Sequence, residues 1–230
     1  MTEFVEDVPV PLRPLVEAVR TGVLGEFAGP RRPPAGVGRP SAVLVVFSPL
    51  PDGDLSVLLI ERSVDMRKHP GQVAFPGGAT DPEDADHIAT ALREAQEETG
   101  LDPAQVQVVG ELPPLFIPRS GFVVIAVLAW WPTPVTLHPV DHGEVATVVA
   151  VPISALTDPA NRFRYSHPMG FVGPAFEVSA ATPDSQGAAA GGGLFIWGFT
   201  AAVLDRILEA GGWSRPWDAE ILRPLPQNRL

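Results

Sequence analysis

Three glutamates, Glu94, Glu97 and Glu98, fall at i, i+3 and i+4 within Arg93-Glu94-Ala95-Gln96-Glu97-Glu98-Thr99, and on a helix that spacing sets their carboxylates on one side. Like charges so placed repel, each pair by roughly 0.2–0.5 kcal/mol. Arg93, at i+4 from Glu97, is the obvious local relief. Two roles are open to such a cluster. It is either a solvated acidic face or a site for a hard divalent cation, because Mg2+ or Mn2+ takes oxygen ligands and commonly combines a few carboxylates with substrate phosphate. Upstream, Arg62, Arg67, Lys68 and His69 form a dense basic cluster. They are either solvated loop cations or a clamp for phosphate, for which planar guanidinium is well suited.

The elements that must position these residues follow from periodicity. Ile88, Ala91, Leu92, Ala95 and Thr99 recur at helical spacing, so a helix runs from Asp84 or Asp86 to Thr99, with Gly100 as its left-handed cap. Pro76-Gly77-Gly78 makes a turn ahead of it, after a short strand over Val73 to Phe75. The basic residues sit in a polar loop, Arg62 to Gly71. That loop follows two β-branched runs, Ala42 to Phe47 and Ser56 to Ile60, joined as a hairpin across Pro49-Leu50-Pro51-Asp52-Gly53-Asp54. Further strands are expected over Val106–Leu112, Phe122–Trp131, Glu144–Val151, Phe163–Ser166 and Phe171–Val178, and a last helix over Gly198 to Ala210. A short helix over Leu12 to Leu24 precedes a proline-rich linker. Strands mixed with two widely spaced helices predict an α/β fold with helices covering a mixed sheet.

Composition narrows the function. The chain of 230 residues has a formal charge of −11, with sixteen Lys+Arg against twenty-seven Asp+Glu. An acidic protein is a poor partner for duplex nucleic acid or an anionic membrane, both of which recruit basic surfaces. The absence of cysteine closes disulfide, thiolate-metal and cysteine-nucleophile chemistry. Met1 to Asp7 carry neither a basic nor an apolar leader region, which predicts a cytoplasmic protein. The most apolar run, Phe122 to Trp131, is far short of the ~20 residues of a spanning helix. No Gly-x-Ser-x-Gly elbow is present, and Gly191-Gly192-Gly193 lacks the lysine of a phosphate-binding loop. His138, His142 and His167 have no metal-ligand spacing. Phe116, Trp130, Trp131 and Trp197 are expected to pack rather than to stack a base.

Gly77-Gly78 followed by Arg93-Glu94-Ala95-Gln96-Glu97-Glu98-Thr99-Gly100-Leu101 resembles the Nudix box, in which a glycine turn leads into R-E-U-x-E-E-x-G-U with U aliphatic. The interval from Gly78 to Arg93 is fifteen positions rather than the usual fourteen, and Ala85 stands where that pattern has a glutamate. Asp84 or Asp86 is the candidate substitute. Upstream, Leu58-Leu59-Ile60-Glu61-Arg62-Ser63 through Arg67, His69, Gly71, Val73 and Phe75-Pro76-Gly77-Gly78 is similar to the accessory signature of the coenzyme A diphosphatase branch of that family, which shares the lengthened box. The resemblance covers about residues 41–210.

The resemblance implies a Nudix-type α/β/α sandwich and metal-dependent cleavage of coenzyme A, or a derivative, at its diphosphate. Glu94, Glu97 and Glu98, with the Gly77 carbonyl, would hold Mg2+ or Mn2+. Arg93 would orient a neighbouring carboxylate, and Arg62, Arg67, Lys68 and His69 would contact substrate phosphates. Glu144 is the distal candidate for a further ligand or base, and spacing does not decide which carboxylate is the base. Other substrates on the same fold (ADP-ribose, NADH, an oxidised nucleotide) and a catalytically silent nucleotide sensor are the competing readings. Residues 1–40 read as an extension, 41–213 as the hydrolase domain and 214–230 as an irregular tail. Covering the site, mediating a homodimer and remaining disordered are all open to the extension.

Overall fold

The run Ala42 to Phe47 is apolar at every position, which suits a strand covered on both faces. The computed structural model, which describes residues 8–23, 37–66, 70–118, 120–179 and 193–226, shows this arrangement. Strand β1 (Arg39–Pro49) sends Ala42, Leu44 and Val46 into one apolar cluster and Val45 and Phe47 into another on the opposite side, the period-two alternation of a pleated strand. Helix α2 (His87–Thr99) covers the first side through Ala91 and Ala95. Helices α1 (Arg13–Arg20) and α4 (Gly198–Ala210) cover the other through Leu15, Val203, Leu204 and Ile207.

The central sheet has eight strands. β1 runs parallel to β7 (Phe122–Trp130) along its whole length. On its other side it pairs antiparallel with two different strands, at its end with β2 (Leu55–Arg62) and at its start with β4 (Gly77–Ala79). β2 continues past that split to pair with β3 (Val73–Ala74) and β8 (Val145–Pro152). β5 (Gln107–Glu111) and β6 (Leu115–Ile117) pair with β7. The sheet is therefore mixed, and the predicted α/β/α sandwich is the fold. The place where β1 and β2 part is where the glycines lie.

A second sheet of four strands, in the order β11-β10-β9-β12, contains β9 (Arg162–Ser166), β10 (Val172–Val178), β11 (Leu194–Ile196) and β12 (Leu222–Pro224), and a short helix α3 (Ile153–Thr157) leads into it. Arg162, 2% exposed, ties it to α4 through an ion pair with Asp205 and a 3.1 Å bond to Ser214 Oγ. Thr200 Oγ1 of α4 donates to the Val73 carbonyl at 3.1 Å, which holds the helix to the first sheet.

Several expectations need correction. The turn over Gly77-Gly78 is part of a strand, and the tail expected as irregular supplies β12 and the buried Leu225. β6 and β11 lie where no strand was expected. These pieces are three residues long and owe their conformation to partners distant in sequence. The helix expected over Leu12 to Leu24 is shorter, a 3-10 turn at Val10–Leu12 and then α1. Trp130 and Trp131 are buried on opposite faces of the sheet, and Trp197 packs edge-on against Tyr165.

Candidate active site

Helix α2 starts where its sequence says it should. Asp86 caps it by accepting a 2.8 Å bond from the Ala89 N–H, and Gly100, at φ 74°, closes it with a 2.9 Å bond to the Gln96 carbonyl. With Ala91 and Ala95 turned to the core, Glu98, seven residues on from Ala91, falls on the edge of that buried face, with Glu94 beside it and Glu97 furthest round toward solvent. They do not emerge equally. Glu98 is 6% exposed and accepts a 2.9 Å bond from the Gly77 N–H. Glu94 is partly covered, its carboxylate lying against Gly78. Glu97 is exposed and accepts a 3.0 Å bond from Arg93 Nη1.

Each glycine makes room for a neighbour. At Gly77, φ 155°, a Cβ would collide with the Ala42 carbonyl and lie 2.6 Å from Val43 Cα. At Gly78 it would lie 2.5 Å from Cδ of Glu94. Gly77 is thus set by the backbone of β1, and Gly78 leaves room for the Glu94 carboxylate.

Arg93 is the hub of the opposite side. It grips Asp84 with two bonds, Nε to Oδ1 at 2.9 Å and Nη2 to Oδ2 at 3.0 Å, while Nη1 reaches Glu94 and Glu97, each at 3.0 Å, and Nη2 also reaches the Ala79 carbonyl at 3.2 Å. Of the two aspartates open as substitutes, Asp84 engages Arg93 and Asp86 is spent on the helix cap. The extra residue in the loop lets the shorter side chain reach. The guanidinium holds the Asp84 carboxyl well below the usual carboxylate range.

Burial pushes the Glu98 carboxyl up to about 7, against the Gly77 N–H and Arg62, which favour its charge, while the charges of Glu94 and Glu144 raise it further. Burial also pushes Glu94 up, with Arg93 opposing. These are desolvated, mutually repelling carboxylates without enough positive charge beside them. Such an all-oxygen donor set fits a hard divalent cation. The site is not preassembled around a point, since among the described residues no three His, Cys, Asp or Glu side chains are grouped to hold a metal.

Of the remaining predicted residues, Arg62 lies at the site, Nη1 3.7 Å from Glu98 Oε1. Arg67, Lys68 and His69 lie outside the described residues. Glu144 is exposed on the turn before β8, where its carbonyl accepts a 2.8 Å bond from the Ser63 N–H, next to Arg62. The Gly77 peptide turns its N–H to Glu98. Spacing missed the Arg62–Glu98 contact, because the two residues belong to different elements that only the split in the sheet brings together. His167 is buried and stacked on Phe171, with ring centroids 4.2 Å apart.

A NUDIX domain model matches residues 38–169. A relative named as an uncharacterized Nudix hydrolase, NudL, from Pectobacterium atrosepticum is 39% identical over 173 residues, covering 74% of this chain and 81% of its own. The Escherichia coli (strain K12 / DH10B) protein of the same name is 37% identical over 168 residues, 72% and 79% of the two chains. Among solved structures, the Nudix hydrolase RenU of M. smegmatis has a TM-score of 0.52 at 20% identity, covering 78% of this chain and 89% of that one, a likeness of fold. The chain belongs to the Nudix family. It is an enzyme, a pyrophosphohydrolase, of a family whose members use divalent metal ions. No helix among the described residues is long and apolar enough to cross a membrane.

Proposed function

We propose that the enzyme hydrolyses the diphosphate of coenzyme A or of its derivatives, giving 4′-phosphopantetheine and adenosine 3′,5′-bisphosphate. The observation that carries this reading is the placement of the accessory segment. It runs from β2 through the basic loop into Gly77-Gly78, so that its first arginine stands against the most buried box glutamate. A phosphate-rich substrate would then meet Arg62 at the site. Arg67, Lys68 and His69, a few residues further along the sequence, are the further candidates for its phosphates, the 3′-phosphate included.

Glu94, Glu97 and Glu98 are the proposed cation ligands, with the Gly77 carbonyl beside them. Bound Mg2+ or Mn2+ supplies neutralisation of the phosphate oxygens and a more acidic water. Arg93 fixes Glu94 and Glu97 by direct bonds and is itself fixed by Asp84. The oxygen of a water bonds to one phosphorus, the bond from that phosphorus to the bridging oxygen breaks, and the water's proton passes to a carboxylate of the site. Glu144 is the distal candidate for that proton or for a further ligand. The proposed setting is cytoplasmic, with a small nucleotide as partner.

The test is a set of parallel assays on coenzyme A, an acyl derivative, ADP-ribose, NADH and an oxidised nucleoside triphosphate, each with Mg2+ and with Mn2+. The reading requires kcat/KM to be highest for a coenzyme A compound. A higher value for any of the other three would move the substrate, and no turnover of any would favour a nucleotide sensor.

A further inference from the structure

Two arginines flank the acidic face of α2, and they are bound differently. Arg93 presents its planar fork to Asp84 in two bonds of 2.9 and 3.0 Å, the geometry of a fixed charge pair. Arg62 stands 3.7 Å from Glu98, an ion pair beyond hydrogen-bond distance. Its Nε is buried and has no hydrogen-bond partner. A buried donor left without an acceptor is costly, so this guanidinium is under-used where it lies. Arg62 ends β2 at the register shift between Glu61 and Arg62 opposite β8. Glu98, its ion-pair partner, is also acted on by the Glu94 and Glu144 carboxyls. A cation held loosely among carboxylates, with a donor to spare, is placed to exchange one anion for another.

We infer that Arg62 is a stand-in counter-ion, partly offsetting the charge of Glu98 in the absence of a divalent cation and releasing it when cation and diphosphate arrive together, the guanidinium then pairing with the diphosphate oxygens. This rests on the reading of Glu98 as a cation ligand. Two consequences follow. A bare cation must compete with the charge of Arg62 for Glu98. A diphosphate removes that competition by engaging the guanidinium, so cation and diphosphate bind with positive coupling, each raising the affinity of the other by the same factor.

The experiment is titration of the full-length protein with Mn2+, free metal being read by electron paramagnetic resonance. It is run with and without methylenebisphosphonate, whose P–C–P link cannot be hydrolysed, and metal held by free bisphosphonate is counted separately. Without the bisphosphonate, Arg62→Gln binds Mn2+ at least about threefold tighter than the wild type, because a positive charge beside the ligand is gone. With it, the wild-type affinity for Mn2+ rises about tenfold, and the rise in the variant is smaller by at least about threefold. A variant that binds Mn2+ no tighter than the wild type, or that keeps the full rise, overturns the inference. If circular dichroism shows Arg62→Gln unfolded, Arg62→Lys replaces it. Lysine keeps the charge and loses the fork, so its affinity for bare Mn2+ stays at the wild-type value while the rise shrinks, and an undiminished rise overturns the inference. Failure of the underlying reading looks different, since Glu98→Gln would then bind Mn2+ as tightly as the wild type.

Discussion

Replacing Glu98 by glutamine should stabilise the metal-free protein at alkaline pH while removing its activity. Glutamine keeps the oxygen that accepts from the Gly77 N–H and removes a charge that burial disfavours. The fold raises this carboxyl from its ordinary 4.5 to about 7, so the folded state holds a proton that the unfolded chain has already lost. The resulting stability is fully present below about pH 4.5 and is lost as pH rises through about 7. Between an ordinary carboxyl and one at about 7 the full loss is about 3 kcal/mol. The difference in stability between Glu98→Gln and wild type should therefore grow from pH 5 to pH 8 by about 2–3 kcal/mol, or roughly 4–12 °C in Tm for a domain of this size. Thermal melts of both proteins in excess chelator, at pH 5, 6, 7 and 8, measure it. Saturating Mg2+ or Mn2+ should erase the wild-type deficit at pH 8 and leave the variant unmoved. A Tm difference that is flat with pH, or one that shrinks toward pH 8, would refute the account of Glu98 as a buried carboxyl whose charge Arg62 offsets only in part.

Four further outcomes are expected. Gly78→Ala drives a methyl into the Glu94 carboxylate and should lower kcat by about tenfold or more, as a displacement of about an ångström does, in a protein whose circular dichroism is unchanged; wild-type kcat would contradict it. Asp84→Asn removes the charge that anchors Arg93 and should lower kcat with little change in KM, whereas Asp86→Asn, at the helix cap, should leave both close to wild type; equal effects of the two substitutions would undo their separate assignments. Asp205→Ala leaves Arg162 buried without its partner and should cost about 3 kcal/mol of stability, with much of it recovered by adding Arg162→Met; a double variant no more stable than the single one would count against this. Arg67→Ala should raise KM for coenzyme A more than for the dephospho compound, and equal effects would remove a 3′-phosphate role.

The two long helices were legible because each carries its own signals. Gly198 to Ala210 is bounded in the sequence where it is in the fold, and α2 announces itself through Asp86, Gly100 and a stripe of small apolar residues. The layered α/β arrangement was legible in the mixture of strands with two widely spaced helices and in the family resemblance, and β1 is covered on both sides as that arrangement requires. The short strands were not, because a segment such as Leu115–Ile117 or Leu222–Pro224 is too brief to show a period and is extended only because a partner lies beside it. At the site, spacing set the three glutamates on one flank but could not rank them. Burial does that, drawing Glu98 inside and leaving Glu97 to Arg93. The choice between Asp84 and Asp86 also needed geometry, since both lie within reach of the helix start and only one can cap it. Arg62 beside Glu98 was out of reach of any local pattern.

Global acidity hid the local arrangement. Seven carboxylates between Asp81 and Glu98 face a single arginine, Arg93, in that stretch, yet Asp84 is tied to Arg93 and Asp86 is a cap, so little of that charge is free for a cation beyond Glu94, Glu97 and Glu98. The proposed phosphate binding of an acidic chain rests on those few residues and on Arg62 beside them.

The most direct test is to incubate the enzyme with coenzyme A and Mg2+ or Mn2+ and identify the products by mass spectrometry, with Glu98→Gln and a chelator as controls. Equal amounts of 4′-phosphopantetheine and adenosine 3′,5′-bisphosphate, formed by the wild type only with metal and not by the variant, are the predicted result. Intact coenzyme A under conditions where the same preparation cleaves ADP-ribose or NADH would contradict it.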